Sequence, residues 1–93
     1  MSRAVALRVI TDQGTAVEDE AVSIIAPGEL GYVGFLYNHA PLVTTLGNGT
    51  FTWRRADGQS QTVRISGGLL EIVQNRLTVL TGTLHVGHEG VRA

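Results

Sequence analysis

Apolar and polar residues alternate in short segments along most of this chain. In residues 4–10, Val5, Leu7 and Val9 alternate with smaller or charged residues, which is the period of two expected of a half-buried strand. Similar alternation or β-branched runs predict further strands at residues 15–17, 21–26, 42–46, 50–55, 61–66, 69–73 and 77–81. No segment has the period of a long amphipathic helix. The pattern therefore predicts an all-β sandwich or barrel.

Residues that favour turns separate the predicted strands. The Asp-Gly pair in residues 56–60 predicts a hairpin turn, and Gly-Asn-Gly at residues 47–49 predicts another because glycine and asparagine tolerate positive φ. Residues 11–14 and 74–76 are also predicted turns. The Gly-Gly pair at residues 67–68 predicts a kink or bulge within a strand.

Two segments are predicted to lie outside the regular strands. The acidic run at residues 18–20 is interpreted as the solvated face of a turn, with a partner-binding surface as the alternative. Residues 82–93 form a predicted polar, glycine-containing tail, in which only Leu84 and Val86 are available for packing. Residues 1–93 are predicted to form a single domain, because two domains of this total length would each have a poor core.

Composition and charge narrow the range of possible functions. Apolar residues make up 43% of the chain, which is enough for a buried core, and the net charge is −1. The seven basic residues are all arginines and form no basic patch, so the sequence does not indicate a nucleic-acid-binding protein. Cysteine is absent, which excludes a disulfide framework and a thiolate metal site.

No targeting or membrane-spanning segment is predicted. The N-terminus lacks the apolar stretch of a signal peptide, and no apolar run approaches the roughly 20 residues that cross a bilayer. We therefore expect an intracellular, soluble domain whose association with a membrane would depend on a partner.

Candidate catalytic and metal-binding residues are few. Ser66 precedes two glycines but lacks the strand–turn–helix context of a hydrolase nucleophile. His85 and His88 could begin a metal site, but two exposed histidines in a tail are the simpler interpretation. His39 has no evident carboxylate to orient it as a base, so it is interpreted as a structural hydrogen-bonding residue or a contact residue. No phosphate-binding loop is present, and no cofactor is predicted.

The segment at residues 26–46 concentrates glycine, proline and aromatic residues. Its glycines recur every third position from residue 28 to residue 34, and the only two prolines, Pro27 and Pro41, flank the central part. These residues predict a shaped, largely non-helical loop that displays Tyr37, Asn38 and His39. This loop is the first candidate for a functional site.

Four stretches resemble the epsilon subunit of F-type ATP synthases. Residues 34–44, G-F-L-Y-N-H-A-P-L-V-T, are similar to the family signature G-x-x-P-x-H-A-P-L-x-T, and residues 65–72, I-S-G-G-L-L-E-I, contain its S-G-G-x-L-E segment. Residues 21–28 and 75–80 resemble the neighbouring strands. The resemblance implies a flattened β-sandwich of about ten strands.

The resemblance also implies a role without bond chemistry. It implies a rotor subunit of the central stalk, peripheral on the cytoplasmic face of the inner membrane, that binds the gamma subunit and the c-ring and reaches the alpha and beta catalytic subunits indirectly. The expected c-ring contact is the segment from residue 31 to residue 39, with the following contact residues: Gly31, Tyr32, Gly34, Tyr37, Asn38 and His39. The gamma contact is not assigned to residues.

Three features differ from the family pattern. Tyr37 occupies a position where the family often has proline, and Tyr32 occupies one where it commonly has glutamate or another polar residue. The sequence ends at Ala93 without the C-terminal helical hairpin of many relatives, which predicts a short form lacking the inhibitory and ATP-binding functions of that hairpin.

Three other functions are considered. The main alternative is a free-standing β-sandwich that binds a peptide or a carbohydrate. A small hydrolase would use His39 or Ser66. A single-strand nucleic-acid-binding protein would require Phe51 and Trp53 to be exposed, whereas core positions are favoured for both.

Overall fold

Strands and turns account for the described part of the protein. The computed structural model describes residues 3–82 and 84–86, which contain eight strands and no helix. The strands are β1 (Val5–Thr11), β2 (Gly14–Ala21), β3 (Ser23–Gly28), β4 (Gly31–Phe35), β5 (Leu42–Arg54), β6 (Ser60–Val73), β7 (Arg76–Leu80) and β8 (Leu84–Val86). In these residues no helix is long and apolar enough to cross a membrane. The predicted all-β class is confirmed.

Two long strands connect the halves of an open β-sandwich. Seven strands follow one hydrogen-bonded path in the order β2-β1-β7-β6-β5-β3-β4, and β8 pairs with β6 outside this path. The β1–β7 pair is parallel and the other pairs are antiparallel. One part of β6, residues 69–73, pairs with β7, while residues 63–65 pair with β8. Strand β5 pairs with both parts of β6, so β5 and β6 belong to both halves.

A single apolar core joins the two halves. The alternating residues of β1 predicted to be buried are at most 2% exposed, and Phe51 and Trp53 are 0% and 4% exposed. The core residues come from strands throughout the path: Val5, Leu7, Val9, Ala21, Ile24, Ala26, Phe35, Leu46, Phe51, Trp53, Val63, Ile65, Leu70, Ile72, Leu77 and Val79. Burial of Phe51 and Trp53 confirms their core assignment and removes the surface that base stacking would need.

The expected number of about ten strands is wrong for the described residues, which contain eight. Two predicted pairs of strands, residues 42–46 with 50–55 and residues 61–66 with 69–73, are single strands, while β4 and β8 were not predicted as strands. Gly47-Asn48-Gly49 lies inside β5 rather than in a turn. A Cβ on Gly49 would lie 2.8 Å from both the Pro27 Cβ and the Tyr32 hydroxyl oxygen. This glycine therefore permits close approach of the β3–β4 hairpin, which local sequence could not distinguish from a turn.

The Gly67–Gly68 pair distorts β6 without ending it. Both residues have positive φ, 76° and 136°. Leu46 still pairs with Gly68 and Asn48 with Ser66, so the register with β5 does not shift and the pair is not a bulge. Residues 60–73 therefore form one strand.

Two other predictions need adjustment. The acidic run at residues 18–20 lies within β2, not in a turn, although Glu18 and Glu20 are exposed as expected. Leu84–Val86, in the predicted tail, forms β8. Residues 87–93, including His88, lie outside the described residues.

Candidate partner-binding loop

The predicted contact segment begins as a strand rather than a loop. Gly31–Phe35 forms β4, which pairs with β3 after a two-residue turn at Glu29 and Leu30. Gly31 has a φ of 137°, which only glycine adopts readily. The prediction of one loop between residues 26 and 42 is therefore wrong at residues 27–28 and 31–35, which lie in β3 and β4.

Side-chain hydrogen bonds attach this hairpin to β5. The Tyr32 hydroxyl accepts a hydrogen bond from the Thr50 backbone N–H at 3.2 Å, and the Glu29 carboxylate accepts one from the Thr45 hydroxyl at 2.8 Å. Tyr32 remains 60% exposed, and Leu30 at the turn is fully exposed. The hairpin is thus fixed on β5 while presenting two large side chains to solvent.

The β4–β5 loop, residues 36–41, contains the other polar candidates. The Leu36 carbonyl accepts a hydrogen bond from the His39 N–H at 3.1 Å, which closes a turn around Tyr37 and Asn38. Asn38 has a φ of 68°, a left-handed conformation that asparagine tolerates better than most residues. Leu36 is 59% exposed and Tyr37 is 37% exposed. The loop therefore presents an apolar and an aromatic side chain on a closed turn.

His39 connects this loop to the core. Its ring lies 4.9 Å from the Phe35 ring, centroid to centroid, and Phe35 is 1% exposed. His39 Nδ1 lies 2.6 Å from the Ala40 carbonyl oxygen, which can only accept, so Nδ1 donates. In the neutral imidazole Nε2 is then an acceptor, and it has no hydrogen-bond partner among the described residues. His39 has a structural role and keeps one nitrogen available.

An amide pair attaches the loop to the β6–β7 turn. The Asn38 N–H donates to Asn75 Oδ1 at 2.6 Å, and Asn75 Nδ2 donates to Asn38 Oδ1 at 3.2 Å. Sequence reasoning predicted Asn75 as a turn residue but missed this contact. Its only sequence signal is an asparagine in a turn, and nothing local pairs it with a residue 37 positions away.

The structure divides the six predicted contact residues between the two ends of β4. Gly31 and Tyr32 lie at its start, Gly34 pairs with Ile25 within it, and the other three lie in the loop beyond its end. Residues 36–41 contain no Asp, Glu, Lys or Arg. A contact here would depend on hydrogen bonds and apolar packing rather than on fixed charge.

Two further polar residues, Ser66 and Asp19, lie within strands. Ser66 lies in β6 opposite Asn48. Within residues 3–82 and 84–86 no group of three potential metal-binding side chains is found. Partial burial alone would raise the pKa of Asp19, but hydrogen bonds from Trp53, Arg55 and the Glu20 N–H, with the Arg55 charge, lower it below its usual 3.8. This carboxylate connects strands and has the environment of a stabilising ion pair.

The fold and this loop define a small β-sandwich domain with its candidate site on a surface loop. Residues 4–86 match the family described as the beta-sandwich domain of the ATP synthase delta/epsilon chain. The chain therefore belongs to this family.

Known relatives are similar over the same region. An ATP synthase epsilon chain from Moorella thermoacetica is 40% identical over 83 residues, which cover 89% of this chain and 62% of that protein. One from Natranaerobius thermophilus is 39% identical over 84 residues, which cover 89% of this chain and 60% of that protein. The chain thus spans about three fifths of the length of these curated relatives.

Two solved structures share the fold. A chain in a Euglena gracilis mitochondrial ATP synthase structure, containing OSCP, F1 and the c-ring, aligns with a TM-score of 0.85 at 17% identity, covering 92% of this chain and 55% of that chain. A chain in the mitochondrial ATP synthase central stalk and c-ring structure from Tetrahymena thermophila aligns with a TM-score of 0.72 at 13% identity. The alignment covers 87% of this chain and 65% of that chain.

Proposed function

We propose that the protein is a non-catalytic rotor subunit in the central stalk of an F-type ATP synthase. In this role it binds the gamma subunit and the c-ring, and it couples ion flow to ATP synthesis on other chains. Its place is peripheral, at the cytoplasmic face of the membrane. The observation that carries the proposal is the family match across residues 4–86.

The fold suits a subunit that transmits torque. A single core joins both halves of the sandwich, and β5 and β6 run through both, so a force applied at one end is transferred through continuous backbone. Close-packed protein interiors deform little under load. The domain can therefore act as a rigid connection between two partners.

The β4–β5 loop is the proposed c-ring contact, together with Tyr32 at the start of β4. The loop offers the exposed ring of Tyr37, the side-chain Nδ2 donor of Asn38 and the Nε2 acceptor of His39. Because these groups lie on a turn that is already closed, little conformational entropy is lost when a partner binds. Uncharged polar and aromatic groups suit a partly hydrated interface.

Copurification of the full chain with gamma, and then with gamma and the c-ring, tests the proposal. We expect wild type to bind both, and Tyr37→Ala and His39→Ala to retain gamma while losing c-ring association. Gln59→Ala is the matched control, because Gln59 lies in the β5–β6 hairpin beyond the opposite end of β5. This control should bind like wild type.

Two results would count against the proposal. A folded wild-type chain that does not bind gamma would contradict the subunit assignment and favour a free-standing binding domain. Undiminished c-ring association by both loop variants would remove this loop from the interface.

A further inference from the structure

The amide pair of Asn38 and Asn75 is the polar connection between the β4–β5 loop and the rest of the domain. The Asn38 backbone N–H and side-chain oxygen both bond to the Asn75 amide, at 2.6 Å and 3.2 Å. Among the described residues, the loop's other hydrogen bonds join Leu36 to His39 and His39 to Ala40. These inner bonds shape the turn. Besides the packing of His39 on Phe35, the amide pair is the contact that orients the turn against another element.

Asn75 is itself fixed on two sides. It occupies, with Gln74, the two-residue turn between paired residues Val73 and Arg76. Both turn residues have positive φ, 50° for Gln74 and 61° for Asn75, as expected of the turn type that matches the twist of a hairpin. The Asn75 carbonyl accepts a hydrogen bond from the Ala6 N–H at 2.9 Å, which attaches the turn to β1.

The hydrogen bonding of the pair gives it a defined geometry. Two antiparallel bonds between amides fix both distance and orientation, which one bond would not. Asn38 is exposed and Asn75 is half-buried, so water competes for these bonds and global stability depends little on them. Their main effect is therefore local, on the population of one loop orientation.

We propose that Asn75 is a positioning residue for partner binding: it orients Tyr37 and His39 by holding Asn38, without contacting the partner itself. This inference rests on the proposed function, because it concerns the same loop. A loop held in its binding orientation loses less entropy on association than a loop that samples several.

Three variants separate the effect of the Asn75 side-chain amide from the effect of the turn's backbone conformation. Asn75→Gly removes the side chain while retaining positive φ, and Asn75→Asp retains the acceptor for the Asn38 N–H but loses the donor to Asn38 Oδ1. Gln74→Gly is the matched control, since residue 74 is adjacent and also has positive φ, but its side chain has no hydrogen bond among the described residues.

The first measurement is amide hydrogen exchange of Asn38 in the full chain by NMR. Asn75→Gly should accelerate it by about tenfold or more, Asn75→Asp by less, and Gln74→Gly should leave it unchanged. The second is the affinity of each chain, bound to gamma, for the c-ring. Asn75→Gly should weaken c-ring binding about five- to tenfold with unchanged gamma affinity, and Asn75→Asp should partly restore it.

The outcomes separate this inference from the proposed function. Unchanged exchange in Asn75→Gly would overturn the inference. Accelerated exchange with undiminished c-ring affinity would also overturn it, because loop orientation would then not affect binding. Failure of the wild-type complex to bind the c-ring would instead overturn the proposed function, and the positioning role would fall with it.

Discussion

At the scale of single residues, Asp19 joins two strands that are distant in the chain. Its Oδ2 accepts hydrogen bonds from Trp53 Nε1 at 2.8 Å and from Arg55 Nε at 2.7 Å, across 34 and 36 residues. The Asp19 side chain is 19% exposed and that of Arg55 is 40% exposed. A bond to an ionised, partly buried carboxylate is stronger than one between neutral groups. Asp19 therefore stabilises the contact between β2 and the end of β5.

Removing the charge of Asp19 should destabilise the fold in a pH-dependent way. Asp19→Asn is expected to lower the free energy of unfolding by about 1–2 kcal/mol near neutral pH, because the charged acceptor is lost. The folded pKa lies below the unfolded value near 3.8, so this stabilisation is fully present above that value. It disappears as the pH falls through the folded pKa. Urea unfolding at several pH values measures the difference.

The neighbouring carboxylate provides the control for this prediction. Glu20 is exposed on the same strand, and Glu20→Gln should change stability by less than about 0.5 kcal/mol. A gap between wild type and Asp19→Asn that stays constant from neutral to strongly acidic pH would contradict the assigned role.

At the scale of elements, the continuity of β6 depends on two glycines with different surroundings. A Cβ on Gly67 would have the Leu46 carbonyl oxygen as its nearest neighbour, at 3.8 Å. A Cβ on Gly68 would overlap the Leu80 carbonyl oxygen, which is backbone and cannot rotate away. Gly68 therefore permits β7 to approach β6, while Gly67 mainly supplies positive φ.

These surroundings predict unequal effects of alanine at the two positions. Gly68→Ala should cost about 3 kcal/mol or more, because it combines unfavourable φ with a backbone clash. Gly67→Ala should cost about 1–2 kcal/mol, from the left-handed backbone alone. Urea midpoints, or loss of the folded far-UV signal where a variant does not fold, distinguish the two. Equal losses would indicate that the β6–β7 approach is not tight.

At the scale of the whole molecule, the sandwich should unfold as one cooperative unit. Leu77 on β7 and Trp53 on β5 belong to the same core, although their strands are not paired with each other. Because β5 and β6 extend through both halves, neither half can retain its core alone. Small single domains of this kind usually show two-state unfolding.

A cavity made in one half should therefore shift the unfolding transition of the other half equally. Leu77→Ala, at a fully buried site, is expected to lower stability by about 2–5 kcal/mol. Fluorescence of the single tryptophan, Trp53, should report the same shift of the unfolding midpoint as far-UV circular dichroism. Leu80→Ala makes the same chemical change on β7 at a site that is 46% exposed, and should cost less than about 1 kcal/mol. A shift seen by dichroism but not by Trp53 fluorescence would indicate independent halves.

Local sequence was informative where one strand or turn decides the outcome. The alternation at Val5, Leu7 and Val9 predicted β1 and its buried face, because side chains alternate between faces of a strand. The turn between β6 and β7 was predicted from its polar residues. Signature residues 34–44 indicated the family, and the match over residues 4–86 confirmed it.

Local sequence failed where a residue's role comes from a distant partner. Gly49 resembles a turn residue but makes space for Pro27 and Tyr32, and Asp19 resembles a solvated charge but bonds to Trp53. For the loop, sequence indicated Asn38 and His39 but not Asn75, which holds Asn38 from another turn.

By itself, the sequence determined most of the strand-forming segments, though not β4 and β8, together with the buried faces and the family, since these follow from side-chain periodicity and contiguous motifs. Only the tertiary structure decided that β5 and β6 are continuous, which side chains hold the loop, and which of its polar groups are free. These features depend on contacts between residues far apart in the chain, and local propensity contains no information about which distant group will be the neighbour.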